Sequence, residues 1–246
     1  MKAKPGVTPP SEAGRPFVGV DVVDLTDPRA RDRSRDTRFL DRVFSPLERE
    51  RIRSADDPAL EVWILWAAKE AAFKVFSKLH GELPVFRHAA YEVTDEPGLP
   101  VTALRYGDSR LALGVETHPE RVLAWAWNGG APEILVARST VPGALATLGL
   151  DPDRERWEAA RFRPRERDSI HGLPSALVRL LARRDAAHML GIQEDVLSIE
   201  CPPGHTGLRP PYLHRTGTIL RNADVSLSHD GRQLAWAVRV ARSVGG

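Results

Sequence analysis

Two stretches of the chain set ionisable side chains among apolar neighbours. In "FVGVDVVDL" the alternation of a strand puts Val18, Val20 and Val22 on one face and Phe17, Gly19, Asp21 and Val23 on the other, so Asp21 is a carboxylate in mid-strand. In "EVWILWAAKEAAFKVFSKL" a helical step of about 100° per residue aligns Val62, Trp66, Lys69, Phe73 and Phe76. Lys69 then lies inside the apolar stripe, Glu70 lies at its edge with Trp63 and Ser77, and Lys74 points the same way one turn on. A charge withdrawn from water requires a partner, and Asp21 is the candidate for Lys69. Plainer readings exist: Glu70 and Lys74 as an exposed ion pair, and Asp21 as a strand-end cap. If Asp21 and Glu70 instead converge, two carboxylates with open positions suit Mg²⁺, which retains several waters and takes one or two carboxylates plus substrate phosphates.

A third stretch, "SLSHDG", sets Ser228 and His229 at a strand end before a glycine turn. A hydroxyl, an imidazole and free backbone N–H groups make a candidate phosphate cradle. A nucleophile and its base is the other reading of a Ser-His pair, but adjacent strand residues point to opposite faces, which counts against it.

These stretches sit on elements that occur twice. "HPERVLAWAW" (118–127) echoes in "HDGRQLAWAV" (229–238) at an offset of 111, "FSPLERERI" (44–52) in "FRPRERDSI" (162–170) at 118, and "AAKEAAF" (67–73) in "ARRDAAH" (182–188) at 115. Three anchors in one order describe two diverged copies of one unit. The copies have diverged at the chemistry: the second has Arg184 and Asp185 for Lys69 and Glu70 and Met189 for Lys74, while the first has Thr117, His118 and Pro119 where the second has Ser228, His229 and Asp230. Pro119 also removes an N–H donor from that turn.

Each copy reads as a strand, an irregular region, a long helix and short strands, with the first helix ending at Gly81. The expected fold is α+β: two tandem αβ units, each a small antiparallel sheet plus a long helix, packed as a pseudo-twofold dimer in one chain. Residues 1–15 are expected to form a loose tail, 16–131 the first unit with the metal and base residues, and 132–246 the second with the phosphate cradle.

Across 246 residues, 35 basic and 33 acidic side chains nearly balance, which disfavours a polyanion binder. The arginine-rich segment 151–168 holds six arginines and six acids and reads as a solvated, salt-bridged face, so nucleic acid is not expected as a partner. One cysteine, Cys201, excludes an internal disulfide framework, and no apolar run has the length of a signal peptide or a membrane span; a reducing, cytoplasmic setting is expected.

"GVDVVDL", followed through "RFLDRVFSPLE" by "WAAKEAAFK", resembles the signature of the 4′-phosphopantetheinyl transferases, the first half looking most like the small holo-acyl-carrier-protein synthase type. The second half, through "PSALVRLLARR", "QEDVLSIE", "GLRPPYL" and "VSLSHDGRQLAWAV", resembles the N-terminal half of the larger surfactin-synthetase-activating type, so the halves stand in exchanged order. The resemblance implies Mg²⁺-dependent transfer of the phosphopantetheine arm of coenzyme A to a serine of an apo acyl or peptidyl carrier protein, releasing adenosine 3′,5′-bisphosphate. It implies Mg²⁺ on Asp21 and Glu70, Glu70 as base directly or through water, and Lys69 and Lys74 on the pyrophosphate, with Lys74 at the leaving oxygen. Ser228, His229 and Arg209 are implied on the coenzyme A phosphates, with Arg165 and Arg167 as candidates for the 3′-phosphate.

The larger type has a second acid two residues after the aspartate; this chain has Val23 there, so water is expected at that metal position. Asp24 is expected to face away and serve the structure. No membrane or second chain is required, and a monomer is expected. The rival function is a non-catalytic module, descended from such an enzyme, that binds carrier protein or coenzyme A.

Overall fold

The structure, a computed structural model, describes residues 15–30, 33–80, 87–94, 103–130, 133–151, 161–203 and 209–241. Residues 1–14 of the expected tail lie outside them. The first unit runs β1 (Val18–Asp24), α1 (Thr37–Val43), α2 (Pro46–Ser54), α3 (Pro58–Leu79), β2 (Glu92–Thr94), β3 (Ala103–Tyr106), β4 (Ser109–His118) and β5 (Arg121–Trp127). Its strands form an antiparallel sheet in the order β1-β5-β4-β3-β2, and α3 packs across β1, β5 and β4. Asp57 caps α3 by accepting the Leu60 N–H (3.0 Å), and Pro58 fills the first turn, where its missing donor is not needed.

The second unit runs β6 (Glu133–Thr140), α4 (Val141–Leu148), α5 (Pro164–Arg167), α6 (Leu173–Leu190), β7 (Leu197–Glu200), β8 (Tyr212–Arg215), β9 (Thr218–Ile219), β10 (Ala223–Asp230) and β11 (Gln233–Val240). The order β10-β11-β6 repeats β4-β5-β1, and α6 packs on β10 and β11 as α3 packs on β4 and β5. The helices α3 and α6 start 115 residues apart, matching the sequence echo. Register aligns the copies residue by residue: Asp21 lies opposite Ala124, and Arg138 lies opposite Ala235, the partner of Ala124 in the 111-residue echo. The second copy therefore has an arginine where the first has its strand carboxylate.

Each unit has its own core, α3 over the first sheet and α6 over the second, and a third apolar cluster joins them: Val18, Val20 and Val22 against Leu123, Ala235 and Ala237. The edge strands β1 and β10 run side by side without a backbone ladder. Instead, alternate side chains of β10 accept the outward N–H groups of β1: Val18 N–H to Asp224 (2.8 Å), Val20 N–H to Ser226 (2.9 Å), Val22 N–H to Ser228 (3.3 Å) and Asp24 N–H to Asp230 (2.8 Å). The two-residue period of both strands makes this possible, and it satisfies an edge that would otherwise be left unpaired. Lys78 locks the lower end: its ammonium, fully buried, bonds Asp224 (2.7 Å), Val18 O (3.1 Å) and Val225 O (2.7 Å). Among the described residues no helix is long and apolar enough to cross a membrane.

Candidate active site

Asp21 projects from the middle of β1 toward α3, and the seam between the units supplies its partners. One carboxylate oxygen accepts from Lys74 Nζ (2.9 Å) and from the Ser228 hydroxyl (2.8 Å). Lys74 is fixed further by Val20 O at 2.7 Å. Burial pushes the Asp21 carboxyl above the usual carboxylate range, Lys74 opposes this most strongly, the neighbouring Glu70 raises it further and Ser228 lowers it. A buried acid with a raised pKa beside a second acid in a cleft marks a candidate functional site.

Asp21, Glu70 and His229 line one cleft of about 350 Å³, with Val22, Val23, Asp27, Arg29, Arg33, Trp63, Trp66 and Asp230. Asp27 is paired with Arg29 at 2.7 Å, and Asp230 accepts the Asp24 N–H. Asp21, bonded to Lys74 and Ser228, and Glu70, bonded to His88, are the pair that feel each other's charge, with Val23 forming apolar wall. Among the described residues no group of three or more His, Cys, Asp or Glu side chains could hold a metal. Two carboxylates on an open cleft are the kind of donor set that Mg²⁺ takes, with waters and substrate phosphate completing its shell. Asp24 points away, accepting from the Thr26 N–H (2.9 Å), the Thr26 hydroxyl (2.6 Å) and the Arg232 N–H (2.9 Å), and so clasps the β10–β11 turn.

His229 comes from the other unit. Loss of solvent around the ring holds the imidazole below its usual range although the residue stays exposed, and the positive charges of Lys74, Arg179 and His171 push it further the same way. A field that disfavours imidazolium favours an anion. Arg179 and His171 were not singled out by the sequence; Arg179 lies in the middle of α6, where nothing in the helical pattern marks it.

Two assignments are corrected. Lys69 takes no part in the cleft: it is fully buried, and its ammonium bonds Glu48 (2.7 Å), His88 O (3.0 Å) and Tyr91 O. Its partner is therefore Glu48 of α2 and not Asp21, and it has no donor left for a pyrophosphate. Ser228, only 8% exposed, spends its proton on Asp21 and accepts the Val22 N–H, so it orients the carboxylate and does not cradle a phosphate. Arg209, Arg165 and Arg167 are exposed and are not among the described residues lining the cleft; the Arg209 N–H donates to Pro202 O (2.8 Å).

The equivalent place in the second copy holds different pairs. Arg138, in the Asp21 position, pairs with Glu116 at 2.8 Å, and Asp185, in the Glu70 position, accepts from the Trp236 indole at 2.8 Å.

Solved structures similar to the chain include apo-ACPS of Chronobacterium ammoiniagenes (28% identity over 46% of this chain and 94% of that one, TM-score 0.36). Holo-[acyl-carrier-protein] synthase of Neisseria meningitidis matches at 20% identity over 46% of this chain and 97% of that one, TM-score 0.36. Holo-ACP-synthase of Plasmodium yoelii matches at 19% over 46% and 94%, TM-score 0.36. No curated protein sequence matches. Residues 17–124, which contain Asp21, Glu70 and Lys74 and make up most of the first of the two repeated units, match the model of the 4′-phosphopantetheinyl transferase superfamily.

Proposed function

We propose that this chain transfers the 4′-phosphopantetheine arm of coenzyme A to a serine of an apo acyl or peptidyl carrier protein and releases adenosine 3′,5′-bisphosphate. The observation that carries the reading is the convergence of Asp21 and Glu70, inside a superfamily-matching unit, on a cleft whose far wall is His229 of the other unit. Mg²⁺ held by Asp21 and Glu70 would neutralise charge on the transferring phosphoryl group.

Glu70 takes the serine proton as the serine oxygen bonds to the phosphorus nearest the pantetheine, and the bond from that phosphorus to the bridging oxygen breaks. Lys74, anchored on Asp21 and Val20 O, stands at the cleft with a cation for the departing oxygen. His229, in the positive field of Lys74, Arg179 and His171, binds coenzyme A phosphate, and the exposed Arg209, Arg165 and Arg167 are assigned to the same substrate. Both units lie in one chain, so the reading requires no second copy.

The test is incubation of the purified protein with coenzyme A, Mg²⁺ and a panel of apo carrier proteins, read by intact mass. Addition of one phosphopantetheine to a carrier serine, abolished by chelator, is expected. Binding of coenzyme A or carrier with no mass change across the panel would favour the non-catalytic module.

A further inference from the structure

Lys69 and Glu70 are consecutive on α3 and diverge by a helical step, yet both hold the same residue. Lys69 Nζ bonds the main-chain oxygen of His88 (3.0 Å), and Glu70 Oε1 lies 3.0 Å from His88 Nε2. We propose that His88 is a positioning residue for Glu70, fixing one carboxylate oxygen so that the group presents a single orientation to the cleft.

The ring is held on every side that the geometry reveals. It stacks on Trp66 with centroids 4.7 Å apart and planes at 22°. Its backbone is tied through Lys69 to Glu48, and Glu48 is fixed in turn: as the third residue of α2 it accepts the Ser45 N–H (2.8 Å) in a capping box, and its other oxygen accepts the Val93 N–H (3.0 Å). A chain of contacts thus runs from the start of α2 through Glu48, Lys69 and His88 to Glu70. Opposite an ionised carboxylate, which only accepts, the contact assigns the imidazole N–H to Nε2.

An exposed pair of this kind would contribute little, but the Glu70 and His88 side chains are only 23% and 20% exposed and one partner is clamped at both ring and backbone. His88 is not among the residues lining the cleft, so it acts through Glu70. The arrangement is that of an outer partner orienting a ligating or basic group, whose loss costs roughly 10–100-fold in metal affinity or activity.

This inference rests on the assignment of Glu70 above, and its test separates the two. In the full-length protein, His88→Ala and His88→Gln are compared with the unaltered chain for kcat and coenzyme A KM, for Mg²⁺ affinity by calorimetry without substrate, and for thermal midpoint. His88→Ala is expected to lower kcat and weaken Mg²⁺ binding each by about tenfold or more, with coenzyme A KM within about twofold. His88→Gln, which keeps an N–H donor, is expected to recover much of both. Losses below about threefold in both quantities, or equal losses in Ala and Gln that follow a lowered thermal midpoint, would overturn the positioning role. If the unaltered protein transfers nothing yet binds Mg²⁺, the proposed function fails and the calorimetric comparison still decides His88.

Discussion

Gly19 of β1 lies directly under the Ala71 carbonyl of α3: a Cβ at Gly19 would stand 1.9 Å from that oxygen and 3.1 Å from Val75. The close crossing sets the distance between the strand that carries Asp21 and the helix that carries Glu70 and Lys74. Gly19→Ala is therefore expected to push α3 off the sheet, with overpacking costing about 1–3 kcal/mol in denaturant unfolding. Transfer should fall by about 100-fold, since a displacement of about 1 Å separates the groups. A variant with unchanged stability and turnover would show that the crossing is not what aligns the site.

The raised pKa of Asp21 has a thermodynamic sign. Its folded value lies above its unfolded one, so the folded state binds the extra proton between the two values, and stability falls as pH rises through that window. Ionised Asp21 thus burdens the fold at neutral pH. Asp21→Asn is expected to cost at least about 100-fold in kcat/KM, about 2.7 kcal/mol. Its unfolding free energy at neutral pH should be no lower than that of the unaltered chain, with a flatter dependence on pH. Lost activity together with lost stability across the whole pH range would reassign Asp21 to the structure.

Ser228→Ala removes one of the two bonds to the acceptor oxygen of Asp21, and one of the influences that lower its pKa. The expected result is a drop in kcat with coenzyme A KM nearly unchanged, and an acid limb of the pH–rate profile moved to higher pH. A raised KM with kcat intact would return Ser228 to the phosphate.

The architecture was legible because it is written twice; Asp21 stood out because a carboxylate interrupts an apolar strand, and Glu70 because it sits at the edge of an apolar helix face, and the structure brings both to one cleft. The role of Lys69 was not. Helical periodicity shows that Lys69 faces inward but not what it meets, and its partner Glu48 lies on another helix 21 residues away. Glu48 did carry a signal, the capping box "SPLE", but that is a local feature and says nothing about Lys69. Ser228 failed for a similar reason. Alternation puts Asp224, Ser226, Ser228 and Asp230 on one face, which reads as a polar edge until β1 is seen to lie against it. His88 and Arg179 depend on tertiary contacts that no spacing encodes.

Lys69→Met distinguishes its buried role from a ligand role. Glu48 would be left in the core without its cation, a loss of about 3–5 kcal/mol. The expected variant unfolds at lower denaturant, while its folded fraction binds coenzyme A as before. Normal stability with a raised coenzyme A KM would contradict the burial of its ammonium.

The two histidines of the echo should differ in weight. A site at the mirror position would need an acid at 138, a free acid at 185 and a cation at 189; the chain has Arg138 bonded to Glu116, Asp185 bonded to Trp236, and Met189. His118 lines a neighbouring groove with Leu60 and Pro119, separated from the cleft by Trp63, which borders both, and its Nδ1 lies near the Glu120 N–H (3.3 Å). His229 instead shares its cleft with Asp21 and Glu70. Calorimetry in Mg²⁺ is expected to give one coenzyme A per chain. His229→Ala should cost at least about tenfold in kcat/KM, about 1.4 kcal/mol, and His118→Ala little beyond any change in stability. Two molecules bound per chain, or equal losses at both histidines, would mean that each copy retains a working site and that the Arg138–Glu116 pair opens to admit substrate.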